Sequence, residues 1–74
     1  MNQPRKPELL DLVAVLRPPA GSSLEIGDVG TVVEVLPPDG IEVEFLDRDG
    51  RTRCVATLAL ADVLTLNRER TPVG

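Results

Sequence analysis

The chain contains no tryptophan, no tyrosine and no histidine, and it has a single phenylalanine, Phe45, and a single cysteine, Cys54. Each shortage excludes a class of function. Without histidine, and with one thiol, the usual nitrogen and sulfur ligand sets for zinc cannot be assembled. Cys54 has no imidazole to activate it, and Ser22 and Ser23 have no base, so nucleophilic catalysis lacks its machinery. With Phe45 the sole aromatic, the stacking platform on which single-stranded nucleic acids lie cannot be built. Nor can the aromatic groove that holds proline-rich peptides. One cysteine forms no intramolecular disulfide, whereas small secreted domains usually depend on such staples. Long apolar runs are missing too. Near the start the longest is Leu12–Leu16, five residues, too short for a membrane span or a signal peptide. A cytoplasmic location is the expectation.

Basic residues are scarce where they would matter most. The chain of 74 residues carries −4 overall. Between Glu8 and Leu66 there are 11 acids against 4 bases, hence −7, while Arg5, Lys6, Arg68 and Arg70 against Glu69 make the flanks +3. A strongly acidic body repels phosphate backbones and attracts basic partners. Nucleic acid is therefore not an expected partner and, with no long apolar run, neither is a membrane. Arg48, Arg51 and Arg53 cluster, but Asp47 and Asp49 interleave with them, so they read as a solvated mixed-charge turn.

What is present is branched aliphatic residue in period-2 patterns. Residues 1–7 ("MNQPRKP") and 67–74 ("NRERTPVG") lack periodicity and read as flexible leader and tail; residues 8–66 read as one domain. A chain of this size buries only about 60% of its unfolded surface, which leaves no room for a deep enclosed active site. "LLDLVAVL", Leu9–Leu16, predicts a strand stopped by Pro18-Pro19, with a short helical turn possible at Glu8–Asp11. "RPPAGSSLEIGD" predicts a long loop, pinned to the core by Leu24 and Ile26. "VGTVVEVL" predicts a strand in which Thr31, Val33 and Val35 alternate with Val32, Glu34 and Leu36. "PPDG" breaks it, with Gly40 tolerating positive φ. "IEVEFL" predicts a half-buried strand with Ile41, Val43 and Phe45 inward and Glu42 and Glu44 outward. "DRDG" predicts a hairpin. "RTRCVATL" then predicts a strand with Cys54, Ala56 and Leu58 inward and Arg53, Val55 and Thr57 outward. "ALAD" predicts a 3₁₀ turn and "VLTL" a closing strand. Five short strands, a long first loop and two tight hairpins predict an all-β fold: a five-stranded, closed SH3-like barrel with a 3₁₀ turn before the last strand.

Two motifs invite sharper readings. "GDVG", residues 27–30, has the glycine content of a phosphate cradle, but such a cradle opens a helix, and here a strand pattern follows. Asp28 also sets a negative charge between the glycines. Gly27 and Gly30 are therefore expected to permit a bend or bulge. Asp47, Asp49 and Gly50 superficially match a calcium loop, but the distant bidentate glutamate is missing, so a hairpin is expected. Glu42 and Glu44 form a carboxylate pair that could split its pKa values; on an outward face they read as solvated. No catalytic residue, metal site or cofactor is expected, and the chain is not expected to be an enzyme.

"LLDLVAVL", "LEIGDVGTVVEVL", "IEVEFLDRDGRT" and "TLALADVLTL" together resemble the bacterial family known as domain of unknown function 4926. The shared signature is G-D-x-G-T-V-V followed by V-E-F, and the resemblance spans Leu9 to Leu66. It implies kinship with small SH3-like barrels, including KOW-type modules with a similar glycine turn. It brings no activity with it. Because some members sit beside toxin-like genes, it implies an antitoxin or immunity-type role.

Protein binding is the function class left standing. Val32, Leu36, Val55 and Leu46 fall on the expected outward phase, on the face that carries Glu34, Glu42 and Glu44. An apolar patch rimmed by carboxylates suits a basic protein partner. The expected partner site is thus Val32, Glu34, Leu36, Glu42, Glu44 and Val55, on a monomer or weak homodimer. The alternatives are a structural or homodimeric accessory subunit and, more weakly, a nucleic-acid-linked accessory barrel.

Overall fold

The computed structural model describes residues 6–66. Most of the expected leader and the whole expected tail lie outside these residues; of the leader, Pro7 is described and is buried. The elements run β1 (Leu12–Val15), β2 (Val29–Leu36), β3 (Gly40–Leu46), β4 (Thr52–Ala59), a 3₁₀ turn (Leu60–Asp62) and β5 (Val63–Thr65). All five strands are antiparallel to their neighbours in one sheet of order β4-β3-β2-β1-β5. Among the described residues no helix is long and apolar enough to cross a membrane.

The closed barrel expected from the sequence is not observed, because no ladder joins β4 to β5 among the described residues. The sheet is nonetheless strongly curled. Laid flat, five strands would set β4 and β5 about 19 Å apart laterally. Yet Ala59 and Val63 are separated only by the 3₁₀ turn, a reach of at most about 14 Å. The turn is held at both ends. The Leu60 amide donates to the Asp39 carbonyl (2.9 Å), and the Leu16 amide donates to the Asp62 carbonyl (2.8 Å). The Arg17 guanidinium adds a bond to the Asp62 carboxylate at 2.9 Å.

Two bulges contribute to the curl, since an extra residue on one strand bends it and adds twist. On β2, Val32 pairs with Val43 but Glu34 pairs with Glu42, so Val33 is the extra residue. On β4, Cys54 pairs with Phe45 but Thr52 with Leu46, so Arg53 is extra.

The concave face holds the core: Val13, Val15, Val32, Ile41, Val43, Phe45, Leu58 and Val63, capped by Leu24 from the long loop. Ile41, Val43 and Phe45 face inward as their alternation predicts, and Cys54 and Ala56 pack half-buried against the cluster. Ile26 does not pin the loop; it is 74% exposed, and Leu24 alone serves. β1 is shorter than its apolar run. Leu9 and Leu10 are exposed in a turn closed by the Asp11 amide donating to the Glu8 carbonyl, with Leu10 at φ 72°.

The glycines divide differently from expectation. Gly27 has φ +93° and makes the bend. Gly30 makes neither bend nor bulge. It lies in β2 opposite Val13, where a Cβ would stand 2.6 Å from Val43 Cγ1 and 2.7 Å from the Glu44 carbonyl oxygen. The "GDVG" amides are also committed inside the fold, with the Gly27 N–H donating to the Val15 carbonyl and the Asp28 N–H to the Glu25 carbonyl. They do not converge on an anion. Gly40 does not use positive φ. It pairs with Leu36 and Ala59, and the Pro37–Pro38 bond before it is cis.

The long loop crosses the concave side to reach β4. Arg53 Nη2 donates to the Ser23 carbonyl at 2.7 Å, and Arg53 Nη1 lies 3.4 Å from Asp28 Oδ2. The bulge is what frees Arg53 from the strand's outward phase for this contact. Arg53→Ala is expected to cost about 1 kcal/mol, the worth of a partly exposed charged hydrogen bond. In a domain this small that lowers the melting temperature by roughly 4–8 °C. A melt unchanged from wild type would show that the loop is held by Leu24 alone.

Candidate functional site

The convex face is built from the other phase of the same strands. Cross-strand partners share a face, so register fixes which residues meet. Glu34 on β2 pairs with Glu42 on β3, and Glu42 pairs with Thr57 on β4. One row over, Thr31 on β2 pairs with Glu44, and Glu44 pairs with Val55. Leu36 pairs with Gly40 at the end of the face and is half-buried. Glu34, Glu42, Glu44, Val55 and Leu36 are therefore brought together as the sequence reading expected, with Val55 51% exposed. Leu46 is likewise exposed.

Val32 does not belong to this site. It is fully buried against Val43 on the concave face. The bulge at Val33 explains the error. Before it the strand's inward positions are Gly30 and Val32; after it Glu34 and Leu36 face outward. One uninterrupted alternation cannot hold Val32, Glu34 and Leu36 on the same side of a strand that contains an extra residue. Val33 is instead 40% exposed, and Val35, opposite Ile41, is 43% exposed because β1 pairs only as far as Thr31.

The carboxylates are not splayed into water at random. Thr57 Oγ1 donates to Glu42 Oε2 at 2.9 Å, and Thr52 Oγ1 donates to Glu44 Oε2. Both acceptors stand on β3 and both donors on β4, so the two side chains lean over β4. The sequence reading placed Thr57 outward but included neither threonine in the site. Counting straight back across the "DRDG" loop would set Val55 opposite Glu42; the register with its extra residue at Arg53 sets Thr57 there instead.

Among the described residues no basic side chain pairs with the cluster. The ion pairs among the described residues are Arg17–Asp62 and Arg53–Asp28, and neither involves Glu34, Glu42 or Glu44. The aspartates, by contrast, serve structure. Asp28 Oδ2 accepts from the Glu25 amide, Asp11 Oδ2 from the Glu8 amide, and Asp47 Oδ1 from the amides of Asp49 and Arg51. The Asp47 bonds close the β3–β4 hairpin, with Gly50 at φ +85°. That is the hairpin reading of the calcium-like stretch. No group of three acidic, cysteine or histidine side chains among the described residues is placed to hold a metal ion.

A second feature of the convex face is apolar and was missed. Val29, Ala14 and Leu64 form one cross-strand row over β2, β1 and β5, with Val29 and Leu64 both exposed. The face thus grades from apolar at β5 to acidic over β3 and β4.

No curated protein and no solved structure matches the chain. Residues 9–66, covering all five strands and both hairpins, match the family model described as Domain of unknown function (DUF4926), and the chain belongs to that family.

Proposed function

We propose that this protein is a non-catalytic binding module whose convex acidic face receives a basic protein partner. The observation that carries the reading is the trio Glu34, Glu42 and Glu44 on adjacent strands, with no cation paired to any of them among the described residues. Like charges on neighbouring strands destabilise an isolated sheet. A basic surface would offset that cost and would be steered to the site in solution. The partner surface comprises Glu34, Glu42, Glu44, Val55 and Leu36. In finer terms the fold is an SH3-like barrel: the order of loop, hairpins and 3₁₀ turn and the strong curl support this. An antitoxin or immunity-type role is one form of the same reading, with the acidic face covering a basic working surface of its target. The lone half-buried cysteine fits a cytoplasmic setting.

Affinity capture with wild type and with the charge-reversed pair Glu42→Lys, Glu44→Lys tests this, followed by affinity measurement on the purified partner. The reversed domain is expected to fold, with a melting temperature equal to or slightly above wild type. Its partner affinity should fall at least about tenfold, or roughly 1.4 kcal/mol. Equal affinity in the two proteins would place the interface elsewhere.

A further inference from the structure

We infer that the basic partner adds an extended segment as a sixth strand along the free edge of β4, with basic side chains at alternate positions over Glu42 and Glu44. This rests on the acidic-face reading and specifies the partner's local chemistry.

Three observations converge. The first is which backbone groups are unpaired. The Leu60 amide donates to the Asp39 carbonyl, continuing the β3–β4 register in which Ile41 pairs with Leu58. In an antiparallel ladder, mutually bonded pairs alternate with pairs whose N–H and C=O point away. Leu58, Ala56 and Cys54 therefore bond to β3, while Val55, Thr57 and Ala59 direct their backbone groups toward the free edge. All three residues are exposed, and among the described residues β4 pairs with no strand but β3.

The second is that this edge is not blunted. Natural sheets protect long edges with lysine, proline, bulges or extreme shortness. β5 has three residues, and the free side of β2 is interrupted by its bulge. Cys54–Ala59 has no charge, proline, glycine or bulge; the only bulge on β4 lies before it, at Arg53.

The third is the direction of the carboxylates. Glu42 and Glu44 are hydrogen-bonded to Thr57 and Thr52 and so lean from β3 over β4. An added strand would lie about 4.8 Å beyond β4, within reach of a lysine or arginine standing opposite Val55 or Thr57. The intervening side chain of that strand would fall on the concave side beside Cys54 and Ala56, which are half-buried and apolar. The recognised sequence is therefore basic, apolar, basic in an extended segment.

A second copy of the chain fits this edge less well. Pairing β4 with β4 would offer only Arg53 as a cation, and that side chain is already bonded to Ser23. It would also bring together two bodies of −7, which repel one another.

The test uses the peptide acetyl-TRVRVRT-amide as probe and backbone amide NMR as readout. The expected result is a shift of the Val55, Thr57 and Ala59 amides, with hydrogen-exchange protection at the same three. N-methylating the peptide's arginine nitrogens, which face β4 in this register, should weaken binding at least about tenfold. N-methylating its valine nitrogens, which face away, should leave binding unchanged. Glu42→Gln with Glu44→Gln should also weaken it about tenfold. Equal effects of the two N-methylations, with the glutamine variant still weakened, would overturn strand addition and leave the acidic face standing. Indifference to both N-methylation and glutamine substitution would overturn both. A dimer by sedimentation at micromolar concentration, with these amides already protected, would give the edge to a second copy and overturn the inference.

Discussion

Replacing Gly30 by alanine is expected to cost about 3 kcal/mol, the upper range for forcing an extra methyl into a packed site. The added Cβ would stand 2.6 Å from Val43 Cγ1, 2.8 Å from Phe45 Cε1 and 2.7 Å from the Glu44 carbonyl oxygen. The first two belong to side chains fully enclosed in the core and have little room to turn aside. The third is backbone, held in the ladders on both sides of β3, so relief requires β2 and β3 to separate. A domain of about 60 residues has on the order of 3–9 kcal/mol of total stability, so the variant should be close to unfolded at room temperature. Two other glycines calibrate the result. Gly40→Ala meets nothing nearer than the Leu36 carbonyl at 3.5 Å and has no positive φ, so it should be neutral within about 1 kcal/mol. Gly27→Ala meets nothing within 4 Å but sits at φ +93°, so it should cost about 1–2 kcal/mol of backbone strain. Denaturant midpoints for the three variants check the order. A Gly30→Ala midpoint near wild type would mean that the sheet has slack where the structure packs it tightly.

That glycine also marks where sequence reasoning stopped. "GDVG" announces a constraint without its kind. A glycine required for positive φ and a glycine required for closeness to another strand look alike in one dimension. The difference appears only when Val43 and Phe45 on β3 are brought against Gly30 on β2. Local signals fared better. "IEVEFL" alternates without interruption, and β3 is the most regular strand in the sheet. The "DRDG" turn and the 3₁₀ segment stand where their local chemistry places them, and "PPDG" does end β2, though without a positive φ at Gly40. Loop docking was half legible. Leu24 and Ile26 are equivalent on a hydropathy scale, and only the path of the loop buries one and exposes the other.

The candidate face divides the same way. Glu42, Glu44 and Val55 lie beyond the β4 bulge at Arg53 as counted from the turn, so counting does not find their pairing; the alternation within "IEVEFL" and "CVATL" finds their outward phase. Val32 and Glu34 are two residues apart, which in an unbroken strand means the same face. The bulge at Val33 separates them, and nothing in "TVVEV" shows which of its valines is extra. The pairing that decides it is Val32 with Val43 and Glu34 with Glu42, a long-range fact.

The two valines should therefore respond oppositely to a charge. Val32→Asp would bury a carboxylate at a fully enclosed position between β1 and β3. No cationic side chain is in the core cluster to receive it. An unpaired buried charge costs several kcal/mol even after the group takes up a proton, which exceeds about 4 kcal/mol and so most of the domain's stability. Val33→Asp sets the same side chain at a position already 40% exposed. There it loses some β propensity and adds mild repulsion with Glu34, about 1 kcal/mol in all. Because Val32→Asp is expected to leave no folded protein to measure, Val32→Thr supplies a graded version. It keeps the shape and adds one buried hydroxyl, at a cost of about 1–3 kcal/mol, whereas Val33→Thr should be neutral within about 0.5 kcal/mol. Thermal melts and one-dimensional proton spectra of the four variants suffice. A folded Val32→Asp beside an unfolded Val33→Asp would restore the unbroken alternation, return Val32 to the convex face and remove the bulge that gives the acidic site its present composition.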